Sequence, residues 1–304
     1  MSRVKFGFFH VEPSISEKNF RSQLERDITS VFILDGARSV GRGGALEAVQ
    51  AAGKEAWLGV ASLCCESRAN AGIADVGDGE AAFKPVTVYR EGWRERLETL
   101  ADDIRKSGCY DAFLGMYMDE PLLWNMPLEM LREITKAFRE ICPDKRVFIC
   151  FSVAGVAPDV WTINDVQPIT PDAGRYITDV AFDMYHPFDS TYDRITREMR
   201  ERMGDRADLR YWFVPCTMNY RGDKNAEHCI RHLRGCGELL RQMPPDQRGG
   251  LMCYTYHTFP ADVEDLGNIG LDILLDPDGD MYWPQLGDEI ESIGQAIARG
   301  DWDA

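Results

Sequence analysis

The chain has 304 residues, of which 44% are hydrophobic and 28% are charged, and these values are ordinary for a globular protein with a sizeable core. Its net charge is −16, from 50 acidic and 34 basic residues, and such an acidic balance argues against nucleic acid and anionic membranes as partners. No run reaches about 18 apolar residues, so no transmembrane helix is expected.

Eight short apolar runs recur along the chain, and each is followed by a segment with a helical pattern. Several runs are apolar on both faces, as buried parallel strands require. The predicted strands cover residues 4–9, 30–34, 56–60, 112–117, 147–151, 179–183, 211–215 and 250–254. Strands that alternate with helices predict a parallel α/β fold, and the number eight favours closure into a single (β/α)8 TIM barrel.

Stripes of apolar residues at intervals of three or four predict amphipathic helices between the strands. The longest cover residues 90–106, 128–142, 225–243 and 285–298. Residues 63–89 and 258–284 are predicted as long loops on the catalytic face of one domain that spans the chain. The alternative fold, a doubly wound open sheet, requires a glycine-rich turn after the first strand. This chain has His10-Val11-Glu12-Pro13 there.

Polar and aromatic side chains follow the ends of the predicted strands, where the functional residues of a barrel cluster. Carboxylates bind sugar hydroxyls and aromatic rings stack on the apolar faces of a sugar, so this mixture suits a carbohydrate. The predicted substrate-binding residues are His10, Glu12, Asp35, Arg38, Tyr185, His186, Asn219, Tyr254, Tyr256 and His257. For the loop tryptophans Trp124, Trp161 and Trp283, anchoring of the loop is favoured over stacking on a sugar.

The fourth predicted strand ends in two adjacent carboxyl groups, Asp119 and Glu120. Neighbouring anions repel, so at least one pKa is expected to rise, as a general acid near neutral pH requires. Glu120 is the predicted general acid/base. The alternative is structural, with Asp119 as a helix cap and Glu120 in the first turn. Asp183, at the end of the sixth strand, is the second candidate carboxylate, and its alternative role is to cap a turn.

The segment Tyr117-Met118-Asp119-Glu120-Pro121 resembles the end of the fourth barrel strand in many glycoside hydrolases, which place their acid/base Glu there. The adjacent Asp-Glu pair is similar to that of hexosaminidase families 20 and 123. The stretch from Leu274 to Asp301 also resembles family 123. This resemblance implies that Glu120 is the general acid and that Asp119 orients a 2-acetamido group of the substrate, which serves as the nucleophile.

The sequence departs from two related patterns. Retaining enzymes of the largest barrel clan carry a second Glu after the seventh strand, but residues 214–219 contain no carboxylate. Family 18 chitinases have Asp two positions before the acid, where this chain has Met118. Two mechanisms therefore stay open. One is substrate-assisted and uses Glu120 with Asp119, and the other uses Glu120 with Asp183 as base or nucleophile.

The sequence predicts a glycoside hydrolase that acts on oligosaccharides or amino-sugar glycosides and needs no cofactor. A carbohydrate-binding barrel without turnover is the second hypothesis. The third is a metal-dependent barrel hydrolase or sugar isomerase, with ligands drawn from His10, Glu12, Asp35, Asp183, His186 and His257.

Nine cysteines are present, several within apolar runs and none in a C-x-x-C pair. This usage predicts buried thiols in a reducing compartment. The apolar part of the N-terminal segment is too short for a signal peptide. The expected location is therefore the cytoplasm.

Overall fold

The computed structural model describes residues 4–9, 16–33, 36–41, 43–75, 81–163, 166–220, 224–256, 258 and 268–303. Eight parallel strands form a closed barrel in which each strand pairs with its neighbours in sequence. The last strand closes the barrel against the first, with Lys5 opposite Gly250. The strands are β1 Lys5–Phe8, β2 Ser30–Ile33, β3 Glu55–Gly59, β4 Phe113–Asp119, β5 Arg146–Ser152, β6 Asp179–Asp183, β7 Arg210–Phe213 and β8 Arg248–Cys253. The predicted (β/α)8 barrel is confirmed.

Helices connect the strands and bury their apolar faces against the barrel. In the helix Leu128–Ile141, for example, Leu131, Ile134 and Phe138 recur at helical spacing and are buried. The helices of the described chain span Glu17–Leu24, Ala45–Ala51, Ala61–Cys64, Trp93–Ser107, Leu128–Ile141, Val153–Val156, Thr191–Arg202, Ala226–Gln242, Leu271–Leu274 and Pro284–Ala298. Within the described residues, none of the helices has the length and apolar character needed to cross a bilayer.

The interior of the barrel is filled by large side chains. Phe32 stacks on Trp57 with ring centroids 6.2 Å apart, and Trp212 meets Phe148 edge-on at 5.1 Å. Tyr117 lies above this layer and contacts the Phe148 ring at 5.5 Å. The barrel is therefore a packed core with no open channel. In such barrels the functional residues lie at the carboxyl end of the strands.

The amino end of the barrel contains a buried ion pair. Asp179, the first residue of β6, has no solvent exposure. Its Oδ2 accepts hydrogen bonds from Arg146 Nε at 2.5 Å and Thr178 Oγ1 at 2.8 Å, and its Oδ1 accepts one from Trp212 Nε1 at 2.9 Å. The guanidinium compensates the charge and both oxygens are satisfied, so removal of either partner would leave a buried group without compensation.

Two small antiparallel sheets follow the carboxyl ends of the strands. A hairpin, Cys65–Asp75 with Ala81–Tyr89, follows β3 and lies within the stretch predicted as a loop from 63 to 89. The second sheet pairs Asn219–Tyr220 with Asn268–Ile269. These additions give the carboxyl end of the barrel more structure than the loops expected there. All nine cysteines are buried and free.

Candidate active site

The chain changes direction at the end of β4. Adjacent residues of a strand point to opposite faces, yet Asp119 and Glu120 line the same cavity. Glu120 adopts a left-handed conformation with φ of 40°, which interrupts the alternation. Its N–H donates to the carbonyl of Cys150 on β5 at 2.8 Å. A non-glycine residue in this conformation costs about 1 kcal/mol or more, and the surrounding structure holds it there.

The central cavity is the space enclosed by the carboxyl ends of β4 to β8 together with Phe9. Its volume is about 840 Å³, which is in the usual range for a small-molecule site. Its lining combines carboxyl groups with aromatic rings and basic side chains, among them Asp119, Glu120, Asp183, Phe9, Trp161, Tyr185, Tyr254, His186 and Lys224.

The carboxyl groups of Glu120 and Asp183 are in hydrogen-bonding contact. Two carboxyl groups can share a hydrogen bond only when one of them carries a proton. Burial, with repulsion from Asp183 and Asp119, raises the pKa of Glu120 to about 10. Burial also raises the pKa of Asp183, to about 6, although hydrogen bonds from Glu120 and Tyr185 oppose the rise. Glu120 is therefore the proton carrier and Asp183 the anion near neutral pH.

Each aspartate of the cluster receives a hydrogen bond from a tyrosine two residues away in the sequence. Tyr117 Oη donates to Asp119 Oδ1 at 2.7 Å, and Tyr185 Oη donates to Asp183 Oδ2 at 3.1 Å. Burial and the charge of Asp183 raise the pKa of Asp119 to about 7, and the Tyr117 hydrogen bond opposes this rise. Asp183 Oδ1 is buried, and Glu120 can share its proton with the Asp183 carboxyl.

Three of the predicted substrate-binding residues lie at the central cavity. Tyr185, His186 and Tyr254 line it, and the Tyr185 and Tyr254 rings stack with centroids 5.2 Å apart. Tyr256 faces the other way: it packs on Phe8, and its hydroxyl lies 2.7 Å from Ser22 Oγ. Strand β8 ends at Cys253, so the alternation that was expected to align Tyr254 with Tyr256 does not extend that far.

Asn219 lies next to the cavity and does not line it. Its Oδ1 accepts a hydrogen bond from the backbone N–H of Lys224 at 3.2 Å, and Lys224 lines the cavity. Arg38 is exposed at the end of a 3-10 turn and is not among the residues that line the cavity. The remaining predicted site residues lie outside the described residues; they are His10, Glu12, Asp35 and His257.

The same four residues belong to the ligand set of the metal hypothesis. Within the part of the chain that the structure describes, no group of three or more His, Cys, Asp or Glu side chains is placed to hold a metal ion. Asp183 and His186 are the members of that ligand set that are described. Both line the central cavity.

Sequence reasoning missed several residues of the site. Tyr117 and Cys150 face the carboxyl cluster from β4 and β5, and burial, with the nearby carboxylates, raises the pKa of the Cys150 thiol well above its ordinary value. Alternation from Asp119 could have identified Tyr117, which is two residues earlier. Cys150 resembled any other buried thiol. Lys224 carries no local signal, because its position depends on how the chain turns after β7.

A buried hydrogen-bond network supports the site from behind. Tyr192 Oη donates to the carbonyl of Met184 at 2.5 Å and is hydrogen-bonded to His232 Nε2. His232 Nδ1 accepts the backbone N–H of Cys216 at 3.0 Å. Burial lowers the pKa of His232 to about 3, so the ring is neutral. The network ties the segment after β6 to the segment after β7, and these segments carry cavity residues.

Comparison with known proteins places the fold among glycoside hydrolase barrels. No family model matches the sequence, and no curated protein matches it. A GH113 β-mannanase from Alicyclobacillus acidocaldarius has a TM-score of 0.54 at 14% identity, over 98% of this chain and 98% of that chain. An exo-β-1,4-mannosidase from Opitutaceae bacterium strain TAV5 has a TM-score of 0.56 at 14% identity, over 99% of this chain and 61% of that chain.

A further neighbour was solved with a sugar bound. The GH5_18 structure from Streptomyces cattleya in complex with GlcNAc has a TM-score of 0.52 at 15% identity, over 99% of this chain and 81% of that chain. At such identities the similarity establishes the fold alone. The chain is therefore similar to glycoside hydrolases in its barrel, and its likeness to families 20 and 123 stays a prediction.

Proposed function

We propose that the protein is a glycoside hydrolase in which Glu120 is the general acid/base and Asp183 is the anionic partner. The observation that carries this proposal is the cluster of three carboxyl groups, those of Glu120, Asp183 and Asp119, that line the central cavity at the carboxyl end of the barrel. Glu120 holds a proton at neutral pH and Asp183 is ionised. Glycoside hydrolysis requires such a pair of carboxyl groups in different protonation states.

In the proposed reaction, Glu120 transfers its proton to the glycosidic oxygen as the bond between this oxygen and the anomeric carbon breaks. The alcohol leaves, and positive charge develops on the sugar ring. The Asp183 carboxylate stabilises that charge and attacks the anomeric carbon or activates the water. If Asp183 attacks, water then breaks the bond between Asp183 and the sugar: the water oxygen bonds to the anomeric carbon, the Asp183 carboxylate leaves, and the Glu120 carboxylate takes a proton from the water. If Asp183 activates the water instead, the water oxygen bonds to the anomeric carbon, Asp183 takes the proton, and this proton returns to Glu120. Both routes need the sugar between carboxyl groups that are roughly 5 to 9.5 Å apart, so substrate binding must separate Glu120 from Asp183.

The structure favours Asp183 over Asp119 as the partner of Glu120. The charge of Asp183 raises the pKa of Glu120 more than the charge of Asp119 does. In the substrate-assisted alternative, Asp119 orients a 2-acetamido group through the oxygen that Tyr117 does not occupy. The configuration of the first-formed sugar decides whether Asp183 is nucleophile or base.

The substrate class follows from the cavity lining. Trp161 is half exposed, and the stacked pair Tyr185–Tyr254 adds a second aromatic surface. His186 and Lys224 bring polar groups to the same space. Aromatic faces with a few polar groups suit a carbohydrate ring. We propose oligosaccharides or amino-sugar glycosides as substrates.

The test is a panel of aryl glycosides that differ in the sugar and include 2-acetamido sugars, assayed with and without a chelator. Turnover that is unchanged by the chelator and is lost in Glu120→Gln supports the proposal. Sugar binding without turnover of any substrate would instead identify a carbohydrate-binding barrel. Activity that the chelator removes would identify a metal-dependent enzyme.

A further inference from the structure

A second cavity adjoins the central cavity at Asp119. This side cavity has a volume of about 400 Å³ and lies between the end of β3, the base of the hairpin and the turn after β4. Asp119 lines both cavities, whereas Asp183 lines the central cavity alone. A substrate whose sugar lies beside Asp183 therefore has a second compartment available on the far side of Asp119.

Trp124 forms an aromatic wall of the side cavity. About half of its surface, 51%, is exposed. Its backbone is held in place, because Thr87 Oγ1 in the hairpin donates to the Trp124 carbonyl at 2.5 Å. The side chain thus presents a face to the cavity from an anchored position. Anchoring and ligand contact are compatible roles for this residue.

The side cavity has few polar side chains, namely Ser62, Thr87, Tyr117 and Asp119, and two of their hydroxyl groups are already engaged. The Thr87 hydroxyl donates to Trp124, and the Tyr117 hydroxyl donates to Asp119 Oδ1. The rest of the lining is largely apolar, with Cys65, Met118 and Met126 among its residues. A sugar ring has several hydroxyls that need partners when buried. An apolar ring needs none, so the side cavity fits an apolar ring better.

We infer that the side cavity binds the leaving group of the substrate, and that this group is an apolar cyclic alcohol stacked on Trp124. The inference rests on the proposed function and adds a substrate class to it: glycosides of aryl-type or other ring-bearing apolar alcohols. Asp119 lies at the boundary between the sugar and the leaving group.

The decisive experiment compares benzyl and methyl glycosides of the same sugar. Both release simple alkyl alcohols of similar basicity, so a difference in kcat/KM reports recognition of the ring. The wild-type protein should prefer the benzyl glycoside by about tenfold or more, since aromatic stacking and burial of a ring both contribute. Trp124→Ala should reduce this preference to near unity.

The matched control is Trp161→Ala, because Trp161 is equally exposed, at 50%, and lines the central cavity. This variant should lower kcat/KM for both glycosides and keep their ratio. An unchanged ratio in Trp124→Ala would overturn the inference. A disaccharide of the same sugar that is cleaved with a higher kcat/KM than the benzyl glycoside would also overturn it, in favour of a second sugar site.

Calorimetric binding of 2-naphthol separates this inference from the proposed function, because it needs no turnover. Wild type and Trp161→Ala should bind the probe, and Trp124→Ala should lose most of the affinity. Equal binding to the two variants would contradict the assignment even if glycosides are cleaved. A protein that binds 2-naphthol through Trp124 and cleaves no glycoside would contradict the proposed function alone.

Discussion

Asp179 and Asp183 lie on the same face of the same strand, and their side chains have partners of opposite kinds. Asp179, at the amino end of the barrel, is bonded to the Arg146 guanidinium and to two further donors. Asp183, at the carboxyl end, has one tyrosine hydroxyl and a second carboxyl group as its partners. The charge of Asp179 is compensated by a cation, whereas Asp183 is placed beside other carboxyl groups.

Along this single strand, the amino end is important for stability and the carboxyl end carries the proposed chemistry. A compensated buried charge contributes to the fold when its partner is retained, and removing the partner is costly. Carboxyl groups crowded together without a cation destabilise the fold, and such groups acquire the raised pKa values that acid/base catalysis uses. If the two ends of the barrel divide in this way, substitutions at the carboxyl end should change activity more than stability, and substitutions at the amino end should do the reverse.

The largest effect is expected for Glu120→Gln. If Glu120 supplies the proton, kcat on substrates with poor leaving groups should fall by about a thousandfold or more. Substrates with good leaving groups need no proton and should be spared. The Tm should stay the same or rise, since glutamine removes an ionisable group from the cluster. Equal losses of activity on both substrate types would contradict the acid role.

The second test compares Asp183→Asn with Asp119→Asn. With Asp183 as the anionic partner, Asp183→Asn should lower kcat about a hundredfold or more on every sugar, because the charge that stabilises the transition state is lost. Asp119→Asn should have the smaller effect. The reverse order, confined to 2-acetamido substrates, would establish the substrate-assisted mechanism and remove Asp183 from the chemistry.

Asp179→Asn is the same substitution at the other end of β6. It removes the charge that compensates Arg146, so the free energy of unfolding should fall by roughly 3 kcal/mol. The kcat of the folded variant should be close to that of the wild type. Denaturation with urea and an assay well below the Tm give the two quantities. A variant that keeps its stability and loses kcat would contradict the proposal that the amino end of the barrel serves stability and the carboxyl end serves catalysis.

A smaller effect is expected in the pH dependence of stability. The pKa values of Asp119 and Asp183 lie at about 7 and 6 in the folded protein, above their ordinary value of 3.8. Between about pH 4 and 7 the folded state therefore binds more protons than the unfolded state, and stability falls as the pH rises. The double variant Asp119→Asn/Asp183→Asn should reduce that fall, by roughly 1.4 kcal/mol for each unit by which the pKa values of the two groups are raised. An identical pH dependence of stability in the wild type and the double variant would argue against raised carboxyl pKa values at the carboxyl end of the barrel.

The barrel could be predicted because buried parallel strands are apolar on both faces. The sixth strand was expected at residues 179–183, and β6 spans Asp179–Asp183. The hairpin from Cys65 to Tyr89 was expected as a loop, because its glycine-rich and asparagine-containing segment shows little periodicity. Such a segment pairs through its backbone, and backbone hydrogen bonds leave a weak trace in the sequence.

The site could be predicted only as a set of candidates at the strand ends. The pairing of Glu120 with Asp183 depends on the barrel register and on the left-handed backbone at Glu120. No local sequence pattern predicts either feature. The prediction for Tyr256 failed for a different reason. A period of two predicts the direction of a side chain only while the strand continues, and β8 ends at Cys253. The alternation rule therefore identified residues within strands better than residues in the turns after them.

The backbone at Glu120 has an evolutionary consequence. A φ of 40° suits glycine, which has no Cβ, better than it suits glutamate. Replacement by glycine would relieve the strained backbone and also remove the proposed acid. Stability and activity thus favour different residues at this position. A lineage under selection for thermal tolerance alone would drift toward glycine here and lose catalysis, so glutamate at position 120 would mark the lineages in which turnover is still selected.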